Sequence, residues 1–173
     1  MSQPEVWLRG PVEGIDPWLM PVAHALLGAR EDMEAAAADL TPAELWARPG
    51  GAASVGFHVR HAGGSLDRLF TYARGEALAP EQLRALKWEG EAGDPPVEAE
   101  TLLRGFGEAV ERALAQLRAT PADGLLEFRG VGRLELPSNV LGLLFHAAEH
   151  TQRHVGQVVS TAKIVRGIGG GGG

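Results

Sequence analysis

The sequence predicts an all-α protein, a four-helix bundle with a long crossover connection and a small accessory hairpin. Three observations lead there. The chain holds 26 Ala and 22 Leu against 13 Val and 3 Ile, a balance of strong helix formers over β-branched residues. Apolar residues recur at helical spacing in four long stretches. Glycine, proline and capping residues separate those stretches where helices should stop and start. At 173 residues with 45% hydrophobic content, the chain is long enough for one domain with its own core.

Each element follows from its local chemistry. Residues 1–15 read as an N-terminal arm, broken by Pro4, Gly10, Pro11 and Gly14, from which Val6, Trp7 and Leu8 can dock. Asp16-Pro17 reads as the start of the first helix, with Leu19, Val22, Leu26 and Met33 on one face as far as Leu40. Thr41-Pro42-Ala43-Glu44 is a capping box and opens a short helix through Trp46. After Pro49-Gly50-Gly51, Ser54 caps a second long helix, 55–73. Residues 75–97 form a connector rich in Gly, Pro and Glu, with room for a short helix at 80–88. It is too long for a simple turn and so suggests a crossover. The third long helix spans 98–118, with Leu102, Phe106, Val110, Leu114 and Leu117 in register. Residues 125–128 and 133–136 read as a hairpin around Arg129-Gly130-Val131-Gly132. Ser138 is expected to cap the fourth helix, 139–165. The bundle thus occupies 16–166, and 167–173 read as a flexible glycine tail.

Composition also narrows function. With no cysteine, disulfide frameworks, thiolate metal sites and cysteine nucleophiles are excluded. The net charge is −6 and basic residues are scattered, so no nucleic-acid partner is expected. No apolar run is long enough for a membrane span. The first residues lack the charged and apolar regions of a signal peptide. A cytoplasmic protein without a membrane partner is the expectation.

The informative residues are the six histidines. His146, His150 and His154 are four apart, so on a helix they form one stripe with about 40° between neighbours. An adjacent pair can share a metal ion, whereas the outer two lie about 12 Å apart along the axis. A single helical histidine is ordinarily a surface or satisfied core residue, but three in a stripe beside apolar neighbours need partners for their ring nitrogens. His58 and His61 lie one turn apart on the second long helix and either can supply a third ligand. Gly63 and Gly64 beside them argue for a close approach by a helix or a ligand. Three protein nitrogens leave coordination positions open, the layout of a catalytic site. His24 reads as a surface or satisfied core histidine.

The segment His150-Thr151-Gln152-Arg153-His154-Val155-Gly156-Gln157, together with Ser54-Val55 followed by His61, resembles the DinB-like (DinB/YfiT-like) superfamily of metalloenzymes and its H-x-x-x-H-x-G-Q signature. The resemblance covers roughly residues 16–165. It implies a four-helix bundle, one divalent metal held by His61, His150 and His154, water in the remaining positions, and a homodimer. It further implies a small-molecule substrate and a low-molecular-weight thiol, because its active members are thiol S-transferases or related isomerases. His58, His146 and the N-terminal arm fall outside the family pattern. Around the metal, His58, His146, Glu149, Gln157 and Asp67 are candidate supporting or pocket residues. Arg68 can meet an anionic substrate, though a solvated position is the ordinary reading. The expected ion is divalent nickel, zinc, iron or manganese, and imidazole by itself does not choose among metals, suiting zinc, nickel, copper and iron alike. No Glu-x-x-His or His-Glu-x-x-His motif is present, which excludes the ferritin-like di-iron and zincin readings. Two functions remain open. One is a metal-dependent thiol S-transferase or hydrolase. The other is a non-catalytic metal-binding bundle that serves as a ligand- or partner-binding stress-response protein.

Overall fold

The computed structural model describes residues 3–170. The chain is mostly helical with one two-stranded antiparallel sheet. Its helices are α1 (Met20–Ala37), α2 (Pro42–Trp46), α3 (Val55–Ala73), α4 (Pro80–Lys87), α5 (Ala99–Ala119) and α6 (Val140–Gly170), and its strands are β1 (Phe128–Val131) and β2 (Leu136–Asn139).

The four long helices form a ring of contacts. Both α3 and α1 pack against α5 and α6. Between them lie fully buried Leu26, Met33, Val59, Leu66, Val110, Leu117, Leu144 and Val158, each worth about 1.5–3 kcal/mol of burial. Named pairs give the directions. Gly63 faces Phe106, Asp67 meets Arg112, and the Phe70 carbonyl accepts from Gln116 Nε2, so α3 and α5 run parallel. The segment before α1 meets Arg118, whereas Arg30 farther along pairs with Glu111, so α1 opposes α5. His58 pairs with His154, and His61 with His150, so α3 opposes α6. Because α3 and α5 are parallel, the connector between them has to travel back along the molecule, and α4 lies on this return path.

Several caps are where the sequence places them. Ser54 Oγ accepts from the Phe57 N–H at 3.1 Å. Thr41 and Glu44 form the reciprocal capping box. The arm is anchored: its Val6 is buried, Arg9 makes a two-pronged ion pair with Glu31, and His24 Nε2 lies 2.9 Å from the Gly10 carbonyl oxygen. His24 is therefore a satisfied structural residue.

Other boundaries differ from the expectation. Helix α1 starts at Met20, not at Pro17. Pro21 has no N–H to close an i→i−4 bond onto the Pro17 carbonyl. The preceding turn instead uses tighter bonds, from Leu19 N–H to Asp16 O and from Met20 N–H to Pro17 O. The strands sit three residues later than expected. Gly132 (φ 68°) and Glu135 (φ 49°) adopt the left-handed conformations of the turn, while Gly130 stays in the strand. Arg129 also ties β1 to the end of α3 through the Ala73 carbonyl at 2.9 Å. Ser138 consequently lies in β2, and Asn139 caps α6 by accepting from the Gly142 N–H at 2.7 Å. Finally, α6 continues through Gly167 to Gly170, where a flexible tail was expected. Extending a helix already formed adds a hydrogen bond without a new nucleation cost, which offsets the poor propensity of glycine. The rest of the expected tail, 171–173, lies outside the described residues.

Candidate metal centre

Helices α3 and α6 cross at their histidines. His61 Nε2 lies 3.2 Å from His150 Nε2, and His154 Nε2 lies 3.2 Å from the same atom. The three residues offer ligand atoms that all lie within 4.8 Å of one another. Imidazole nitrogens bound to one ion at about 2.0–2.1 Å, at octahedral or tetrahedral angles, lie about 2.8–3.4 Å apart. The donor set is three nitrogens, with no sulfur and no charge, and it suits a borderline divalent cation. All three histidines are partly exposed, so the cluster faces solvent. The ring of Phe57 stacks on His61, with centroids 5.2 Å apart.

Of the two histidines left open on α3, His61 joins the cluster. His58 stands behind it. It is buried, and its Nδ1 lies 2.9 Å from His154 Nδ1. One ring must donate and the other accept. When His154 presents its Nε2 lone pair to the cluster, its proton sits on Nδ1 and His58 is the acceptor.

Burial, followed by the neighbouring imidazoles, pushes His154 down to about 3. Burial first, then the charge of His61, also lowers His150 and His58. Desolvation disfavours the imidazolium. These rings are neutral near pH 7, which leaves lone pairs available to a cation.

The remaining candidates fare unequally. His146 is half exposed at the solvent end of the stripe, with Nδ1 3.4 Å from Glu149 Oε2 and its ring 5.7 Å from that of His150. Glu149 is engaged by Arg153 at 2.7 Å. Gln157 is exposed and, among the described residues, makes no hydrogen bond to the histidines. Asp67 accepts from Gln82 Nε2 at 2.6 Å, away from the cluster. Arg68 is neither solvated nor free for a substrate. It is buried and donates to Glu89 Oε1 at 2.7 Å.

Glu89 is the residue that sequence reasoning missed. It follows α4 in the connector, is only 4% exposed, and its Oε2 lies 2.6 Å from His61 Nδ1. The trace it leaves in the sequence is indirect. A Cβ on Gly64 would lie 2.6 Å from Glu89 Oε1 and 2.9 Å from Arg68 Nη1. The close approach expected at the glycine pair is thus real at Gly64, and its partner is this ion pair.

The fold and the cluster define a helical protein with a three-histidine site suited to a divalent cation. A family model described as the DinB superfamily matches residues 25–158, and the chain belongs to that superfamily. Among solved structures it is similar to a conserved protein from Enterococcus faecalis, at 21% identity and a TM-score of 0.69, covering 86% of this chain and 97% of that one. That likeness concerns the fold. No curated protein sequence matches. None of the helices among the described residues is long and apolar enough to cross a membrane.

Proposed function

We propose that the protein is a metal-dependent enzyme in which His61, His150 and His154 hold one divalent ion through Nε2. In this reading the four long helices act as a bundle scaffold, the protein works in the cytoplasm as a homodimer, and it carries out thiol-dependent S-transfer or hydrolysis on a small molecule. The observation that carries the proposal is the convergence of three imidazoles on one partly exposed point, with His150 Nε2 3.2 Å from each of the other two. When bound, a divalent ion supplies Lewis acidity, lowering the pKa of a ligated water or thiol and polarising a carbonyl.

The chain's own residues do the rest. His58 and Glu89 orient two of the three rings. The apolar face of Phe57 excludes water from one side of His61. With no cysteine in the chain, any reacting sulfur has to come from a cosubstrate.

A second reading has its own observation. A cleft of about 710 Å³ between α3, α5 and the connector is lined by Arg60, Trp88, Leu102, Phe106 and Arg112, with Glu89 at its wall and none of the three histidines. This favours a ligand-binding protein with a non-catalytic metal. The deciding experiment is metal analysis of protein purified without added metal, then turnover with a panel of low-molecular-weight thiols and electrophiles. About one ion per chain and thiol-dependent turnover is the expected result. An ion without turnover favours the second reading. No ion, and no uptake of nickel, zinc or manganese, overturns both.

A further inference from the structure

We infer that Glu89, fixed by Arg68 across the bare backbone of Gly64, is a positioning residue that sets His61 as an Nε2 donor. The inference rests on the proposed metal reading for its purpose, but its geometry stands without it.

A neutral imidazole can carry its proton on either nitrogen, and only the unprotonated one can bind a cation. In His61 the choice is made by Glu89. An ionised carboxylate accepts hydrogen bonds and donates none. Its Oε2 at 2.6 Å therefore draws the proton to Nδ1 and leaves the lone pair on Nε2, the atom that faces His150. A buried carboxylate keeps its charge only when paired. Arg68, itself buried, supplies that pairing at 2.7 Å on the other oxygen. Both oxygens are thus engaged and the carboxylate cannot rotate away.

The backbone beneath Glu89 is held as well. Arg60 Nη1 donates to the carbonyls of Trp88 and Glu91, at 2.8 and 2.5 Å, on either side of it. The Arg60 guanidinium in turn rests over the Trp46 ring, 4.8 Å from its centroid. Gly64 completes the arrangement, because any side chain there would occupy the space of the Glu89–Arg68 contact. Four residues spread over α3 and the connector thus serve one proton position. Carboxylate partners of metal-bound histidines fix the tautomer and raise ligand basicity, and losing one costs 10–100-fold in metal affinity.

The test uses Glu89→Gln, which is nearly isosteric, and Glu89→Ala in the full-length chain. Imidazole nitrogen shifts of the metal-free protein report the tautomer. The expected result is a His61 protonated at Nδ1 in the parent and a mixed or reversed tautomer in Glu89→Gln, with unchanged circular dichroism. Titration with nickel should show 10–100-fold weaker binding in both variants. A parent that binds no nickel yet shows the tautomer change would overturn the metal reading while supporting the role of Glu89. An unchanged tautomer in Glu89→Gln, or nickel affinity within twofold of the parent in both variants, would overturn the inference.

Discussion

His154 and His61 stand on facing helices, and each has its Nδ1 engaged, but by different chemistry. Behind His154 is another imidazole, His58, carried by the second turn of α3. Behind His61 is a carboxylate, Glu89, carried by a loop and locked by Arg68. The imidazole pair fixes a distance, yet its proton can sit on either ring. The carboxylate pair fixes a direction as well, since Glu89 can only accept. Charge-assisted bonds are also roughly twice as strong as neutral ones. The cluster therefore has a rigid, polarised side at His61 and a more adaptable side at His154, with His150 between them.

The comparison can be broken outright at its hub. His150→Ala should abolish retention of a divalent ion, read by isothermal titration and elemental analysis, because both 3.2 Å contacts converge on its Nε2. The next effect separates the two sides. Gly64→Ala forces apart Glu89 and Arg68 and is expected to weaken nickel binding by at least about tenfold. Gly63→Ala, one residue away, places its Cβ 3.5–3.6 Å from Phe106, an ordinary contact, and should bind nickel like the parent. His58→Phe removes the neutral brace and should cost about tenfold or less in affinity, at the low end of the range for such partners. At the small end, Gln157→Ala should leave nickel affinity within twofold, since its side chain is exposed.

Acid sharpens the same contrast in the metal-free protein. His154, held down to about 3, and His58 and His150, also lowered, have folded pKa values below the unfolded value of about 6.5. Between those limits the unfolded chain binds more protons than the folded one. Their contribution to stability is thus full above about pH 6.5 and is lost as pH falls toward 3. Thermal unfolding between pH 7.5 and 4 should show this decline, and His154→Gln should flatten it.

What the sequence discloses about this site is what one helix can encode. The spacing of His150 and His154 puts both on one face, and Ser54 fixes where α3 begins, so the ligand stripe and its partner helix are legible from periodicity and capping alone. The four long helices are legible for the same reason. Spacing does not choose His61 over His58, because both lie within one turn and the decision belongs to the packing of α3 on α6; only the motif resemblance singles out His61. Glu89 is further out of reach: it sits 28 positions from His61, in a segment with no period to read. Gly64 marked a close approach but not what approaches. The hairpin register escaped because either Gly130 or Gly132 could serve the turn, and the Arg129 anchor on α3 is a long-range contact. The start of α6 shifted with it, from Ser138 to Asn139.

The parallel arrangement of α3 and α5 has a consequence for how this site can vary. A chain that leaves one end of a 19-residue helix and must begin the next at the far end has about 28 Å to cover. That itinerary passes the waist of α3, where His61 stands, whatever its composition. Insertions or deletions in the return segment would leave the helix core intact yet relocate Glu89, so drift in loop length would retune the histidine cluster before it touched the fold.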